Sequence, residues 1–294
     1  VMNDIHTAFV RRQLLLSAAG LAIGICAVTA HAESRKEARI DISPNGTLNI
    51  VNNSGSVTLH SGSGHQVLVT YIVHSDKVEV DQNASSKQRV ELLTHALPNE
   101  RPTADEAKVD YEITVPAGVS VNVTTVSATI TAENLSGDIG FSSESGQIDV
   151  KNVAKSHVRV RTMTAAINLN NITSSVVDIQ SAGGAVQLKD VTGQRVAANT
   201  TSGSIDYRGD CSGGGDYVFT THSGAVDMTL PPTASVDLMA RSTNGSVENA
   251  FPLREKSHNT FVPQQGRSFA GTSNSGLSSV ELQSFSGKIR VKKQ

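Results

Sequence analysis

The residues whose type and spacing could do chemistry are three carboxylates at equivalent places in a repeated phrase. They are Ile205-Asp206-Tyr207, Val226-Asp227-Met228 and Val247-Glu248-Asn249. If successive phrases stack as neighbouring strands, the three acids form a row at roughly 4.8 Å spacing. Carboxylates that close repel one another, and a bound calcium ion or a polyhydroxyl ligand would relieve the repulsion. Asp206, Asp227 and Glu248 are therefore the candidate cation ligands. Asp206 with Asp227, assisted by His222 or Arg241, is the candidate acid and base pair of a polysaccharide lyase or glycoside hydrolase, chemistry that needs a separation of about 5–9.5 Å. The same row also reads as a hydrated acidic ladder that keeps the surface soluble. Outward aspartates are expected at alternate positions without any chemistry, tryptophan is absent, and no long loop frames a cleft. The reading thus favours a non-catalytic protein with no assigned catalytic, cofactor or metal residue.

Other reactive residues carry less. Cys211 lies in Cys211-Ser212-Gly213-Gly214-Gly215 and has no partner once Cys26 leaves with the export signal, so no disulfide framework holds this fold. Gly62-Ser63-Gly64-His65 is glycine-rich, but no helix pattern follows it to cradle a phosphate. His60, His65 and His74 do not fall at a zinc spacing.

The elements that must position the acids are strands. Two apolar residues flank a polar one, a small pair usually spelled Ser-Gly follows, and two more apolar residues flank a polar one. The pairs run Val121/Val123 with Ile130/Ala132, Ile139/Phe141 with Ile148/Val150, Val158/Val160 with Ile167/Leu169 and Val177/Ile179 with Val186/Leu188. They continue as Val196/Ala198 with Ile205/Tyr207, Tyr217/Phe219 with Val226/Met228 and Leu238/Ala240 with Val247/Asn249. Alternation at period two is the mark of a strand. The small pair suits a corner, and Leu135, Val153, Ile172 and Val191 supply a third inward position in the early units. One unit has no opposite wall, so burial requires stacking. The column Ile148, Ile167, Val186, Ile205, Val226 and Val247 is then one core, and Asp149, Asn168, Gln187, Asp206, Asp227 and Glu248 face water.

The phrase recurs as Leu48/Ile50 with Val57/Leu59 and as Val280/Leu282 with Ile289/Val291. Between the first recurrence and the regular array, Val67 to Val73, Val78/Val80 and Lys108 to Val115 alternate without a corner pair. They read as an edge sheet covering the first unit. Breaks are expected at His95 to Glu106 and at Phe251 to Thr272. The expected architecture is all-β: a single-domain parallel β-helix, or β-solenoid, of short rungs with an N-terminal strand cap. The cap and first repeat-like strands span 33–116, and the repeats, continuous with the cap, span 117–294.

Asn45-Gly46-Thr47-Leu48-Asn49-Ile50, the bridging Val109-Asp110-Tyr111-Glu112-Ile113-Thr114-Val115-Pro116-Ala117-Gly118-Val119-Ser120-Val121 and the tandem Ser-Gly-x-Ile/Val-x-Val/Leu phrases together resemble the DUF4097, or adhesin-type, β-strand repeat family. The resemblance runs from about residue 40 to the end. It implies a fold similar to right-handed parallel β-helices and an exported or envelope-associated protein, and it carries over no catalytic residue.

Residues 1–32 read as an export signal. Arg11-Arg12 is followed by an apolar stretch to Val28 and by Ala30-His31-Ala32 as an A-x-A cleavage site. The paired arginines resemble a twin-arginine signal, a route that competes with general secretion. Nothing later is apolar enough to span a bilayer, so no stable transmembrane segment is expected after cleavage. The chain has 25 basic and 27 acidic residues, a formal net charge of -2. That balance gives no reason to expect nucleic acid. The expected partners are a cell-surface glycan or an envelope protein, and the expected location is the periplasm, the medium or the cell surface.

Overall fold

The period-two alternation is realised as two stacked ladders of strands that share one apolar interior. The structure is a computed structural model and describes residues 34–211, 213–255 and 263–294. The export signal read from residues 1–32 lies outside the described residues. In the first ladder Thr47–Asn52, Ser120–Thr125, Ile139–Ser143 and His157–Thr162 pair in parallel, followed by residues 176–181, residues 195–200 and Gly215–Thr221. In the second, Ser54–Gly62, Thr129–Glu133, Ile148–Ala154, residues 167–173, residues 186–192, Ile205–Arg208 and Val226–Leu230 pair likewise. Ile148, Ile167, Val186, Ile205 and Val226 are fully buried, as is their counterpart column Val121, Val158, Val177, Val196 and Tyr217. Leu135, Val153, Ile172 and Val191 are buried too.

Local chemistry explains the corners. From Ser120–Thr125 onward a buried Ser or Thr ends each first-ladder strand, and its hydroxyl bonds the backbone of the residue three along: Thr125, Ser181 and Thr200 donate to that residue's carbonyl, and the others accept its N–H. Gly146 donates to Ser143 at 2.8 Å, Gly224 to Thr221 at 2.9 Å and Gly287 to Ser284 at 2.7 Å. The glycine of the small pair is there for close approach between stacked corners. A Cβ at Gly184 would lie 1.7 Å from the Ala165 carbonyl oxygen, and one at Gly224 would lie 2.0 Å from that of Gly203. The third inward residue comes three positions after the second, out of step with a strand. The chain gains that step by a left-handed residue: Asn134, Asn152, Asn171 and Asp190 have φ of 60°, 54°, 54° and 52°. Asn and Asp are the non-glycine residues that visit this region most readily, and the Asn171 amide donates to Asn152 Oδ1 at 2.9 Å.

The all-β expectation holds, but the parallel β-helix, or β-solenoid, of short rungs with an N-terminal strand cap is corrected. The strands form one mixed sheet that bends nearly closed into a barrel. Ser34–Asp41, Gln66–Val73 and Lys108–Pro116 are linked by antiparallel pairings, and Val78–Ser86 pairs antiparallel with Arg89–Ala96. Ser268–Thr272 pairs antiparallel with both Val236–Ser242 and Arg254–Glu255. Two strands, Ile167–Ser181 and Val186–Thr200, run 15 residues without a break. The physical reason is that alternation specifies a strand and its inward face but not the direction of its neighbour. Where the Ser-Gly corner is missing, between residues 66 and 96, the chain folds back on itself.

The stacking order also departs from chain order. The closing phrase, Ser278–Ser284 with Ile289–Lys293, is inserted between the units that contain Gly215–Leu230 and Val236–Asn249. Val226 therefore stacks on Ile289, and Ile289 on Val247. Among the described residues no helix is long and apolar enough to cross a membrane.

Candidate functional site

The insertion of the last phrase decides the fate of the carboxylate row. The outward residues of the second ladder run Asp149, Asn168, Gln187, Asp206, Asp227, Arg290 and Glu248. Arg290 thus separates Asp227 from Glu248, which alternation alone places side by side. Arg290 forms a two-pronged ion pair with Asp227, and Lys292 Nζ lies 3.3 Å from the same carboxylate. Asp206 accepts from Arg208 Nε at 2.9 Å, and Glu248 pairs with Lys288 at 2.6 Å. Burial would raise the Asp227 carboxyl, but hydrogen bonds from Arg290 and Lys292 outweigh it and hold the group below its ordinary value. A general acid needs the opposite displacement. Asp206, Arg208 and Asp227 line one shallow depression with Gln187 and Lys189. His222 and Arg241 line a different one, so the four groups proposed to cooperate are not gathered.

That second depression lies along a corner edge. The corner position after the buried Ser or Thr holds, in stacking order, Val126, Glu144, Met163, Ala182, Thr201, His222, Phe285 and Thr243. Val126, Met163 and Phe285 are 44%, 58% and 46% exposed, a concentration of large apolar side chains in water on a single edge. His222 and Phe285 stack face to face, with centroids 4.8 Å apart and planes 5° from parallel. Their backbones are joined as well, since Ser286 N–H donates to the His222 carbonyl at 2.9 Å. Beside this edge runs a row of polar side chains from the first ladder: Arg161, Gln180, Asn199, Thr220, Gln283 and Arg241. Two depressions, about 440 and 500 Å³, lie between the edge and the row. The rings offer an apolar face and the row offers fork-shaped donors and amides, a combination that fits a flat polar ligand. The signal for this edge was present in Thr221-His222-Ser223-Gly224 and Ser284-Phe285-Ser286-Gly287, where a ring occupies the same corner slot twice.

A second grouping lies on the antiparallel hairpin. Glu79, Asp81 and His95 each bring a potential ligand atom within 4.8 Å of the other two. The pairing of Val78–Ser86 with Arg89–Ala96 that assembles it is invisible to a repeat-based reading. The buried Cys211 is no reactive group: burial pushes its thiol up to about 12, and it lies against the Tyr207 hydroxyl at 3.3 Å.

Residues 45–292 match the family model described as Toastrack DUF4097. Solved structures give three similar chains. A candidate adhesin from Bacteroides fragilis NCTC 9343 is 10% identical, with 90% of this chain and 98% of that one covered and a TM-score of 0.48. A candidate adhesin from Parabacteroides merdae ATCC 43184 is 9% identical, with coverages of 88% and 96% and a TM-score of 0.34. A candidate cell adhesion protein from Clostridium sporogenes ATCC 15579 is 13% identical, with coverages of 89% and 100% and a TM-score of 0.26. No curated protein matches.

Proposed function

Since the chain belongs to the Toastrack DUF4097 family, we propose that it is an exported, non-catalytic interaction protein of the bacterial envelope that holds a cell-surface glycan along the His222–Phe285 edge. The observation that carries this reading is the stacked ring pair, half in water, flanked by Arg241 and Gln283. Exposed aromatic surface costs hydration unless something covers it, and the apolar C–H surface of a sugar ring can cover it while its hydroxyls reach nearby amides and guanidinium groups. Successive strands advance by about 4.8 Å, so the ring pair and the polar row lie along one line that an extended polymer can follow. The ion-paired state of Asp206 and Asp227 supports binding over hydrolysis or elimination. Export is supported by the charged, apolar and small-residue layout of residues 1–32.

The test is calorimetric titration of the protein with envelope polysaccharides, with product analysis of the same mixtures. Saturable binding is expected, weakened about tenfold or more by Phe285→Ala, roughly the 1.4 kcal/mol of one lost ring contact. Equal affinity in Phe285→Ala would remove the edge from the function. New reducing ends or unsaturated sugars would replace binding with catalysis.

A further inference from the structure

The hairpin of Val78–Ser86 and Arg89–Ala96 brings together three side chains that have no part in the edge just described. Glu79 stands directly across from His95, and Asp81 follows two residues later on the same face. His95 Nε2 lies 3.0 Å from Asp81 Oδ2 and 3.4 Å from Glu79 Oε1. The other ring nitrogen is fixed from outside this group, because Nδ1 is 3.0 Å from the carbonyl oxygen of Ala96. A carbonyl oxygen can only accept, so Nδ1 carries the hydrogen. Nε2 then has two options. It bears a second proton, or it turns a bare lone pair toward two carboxylates. In the second case all of the converging atoms are acceptors, and a cation among them satisfies the set.

We propose that Glu79, Asp81 and His95 form an open divalent-metal site of the zinc class. The donor set selects the ion. An imidazole nitrogen with two carboxylates suits zinc and its first-row neighbours, whereas calcium and magnesium favour oxygen donors throughout. Two carboxylates neutralise a divalent charge. Three protein donors leave a position for water or for an exogenous ligand. The Nδ1–H bond to a backbone carbonyl is the outer contact that sets the tautomer and aim of a metal-bound histidine. The site rests on paired strands, and the side chains of Glu79 and Asp81 are 50% and 63% exposed, so an ion reaches them directly from solvent.

Zinc chloride titrated calorimetrically into the full chain at pH 7.5 tests this. The parent is expected to take up one equivalent that is missing, or at least tenfold weaker, in His95→Gln and in the Glu79→Gln/Asp81→Asn pair. A zinc isotherm unchanged by His95→Gln, or none at all in the parent, overturns the proposal. A measurement on the parent alone guards against a misfolded variant: the His95 ring resonances must shift or broaden with zinc and stay in place with calcium. Ring signals indifferent to zinc overturn it equally.

Discussion

Asp227 and Asp81 are both outward aspartates on strands, yet one is neutralised and the other stands with a second acid before a histidine. Asp227 belongs to the parallel middle of the molecule, where Arg290 arrives from 63 residues away and closes on it together with Lys292. Asp81 belongs to the antiparallel end, where its partner His95 is only 14 residues along. The lesson is that strand alternation sets which way a carboxylate points, while its chemistry is set by the neighbouring strand. In the middle that neighbour is supplied by a distant insertion that spends the charge on an ion pair. At the end it is supplied by a hairpin that leaves the charge available.

The contrast breaks most visibly in packing. Ile167 is fully buried between Ile148 and Val186, whereas Leu93 on the hairpin is 42% exposed. Ile167→Ala should cost about 2–5 kcal/mol by chemical denaturation, and Leu93→Ala should stay within about 0.5 kcal/mol. Comparable losses at the two positions would show that Leu93, directly across from Asp81, is packed, and that the openness attributed to Asp81 is wrong.

Removing the inserted partner sharpens the comparison at the charges themselves. Arg290→Gln leaves Asp227 with Lys292 alone, and because the Asp227 side chain is only 15% exposed, the loss should be about 1–2 kcal/mol at pH 7. The sign with pH follows from a carboxyl held below 3.8 in the folded chain. Its contribution is complete above the unfolded value and disappears as pH falls through the lower, folded one. The stability difference between parent and Arg290→Gln should therefore be constant from pH 7 to about 5 and shrink below about pH 4. A difference that persists undiminished at pH 2 would mean that Arg290 acts through packing of its stem.

Much of the middle was legible in the residues, and much of the ends was not. The inward columns and the outward aim of Asp206 and Asp227 follow from alternation, the third inward position is read from the recurring apolar residue three places further on, and the burial of Ile205 and Val226 agrees with the columns. Strand direction did not follow, because parallel and antiparallel neighbours demand the same alternation; Val67 to Val73 looked like any other strand. The place of the last phrase was equally hidden. Ile289 fits the column above Val226 as well as Val247 does, and only the ion pair of Arg290 with Asp227 hints in retrospect at the order. For the functional surfaces, His222 was noticed for the wrong partner, since its ring stacks on Phe285 and does not serve Asp206. The grouping of Glu79 with His95 needed the hairpin register.

The smallest expected effect lies at His95, and it separates the two regions by the direction of its pH dependence. The Ala96 carbonyl and the Asp81 carboxylate raise the folded-state pKa of His95 above its ordinary 6.5. A group shifted upward stabilises fully below its unfolded value, and that contribution is lost as pH rises through the folded one. In metal-free buffer His95→Gln should therefore melt slightly below the parent at pH 5.5, and the two should converge at pH 8.5. This is opposite in sense to Arg290→Gln, whose deficit fades toward acid. A His95→Gln deficit that grows with pH would mean that the neutral ring is the stabilising form. The two carboxylates would then need no cation between them, and the difference drawn between the middle and the hairpin would fail at its most local point.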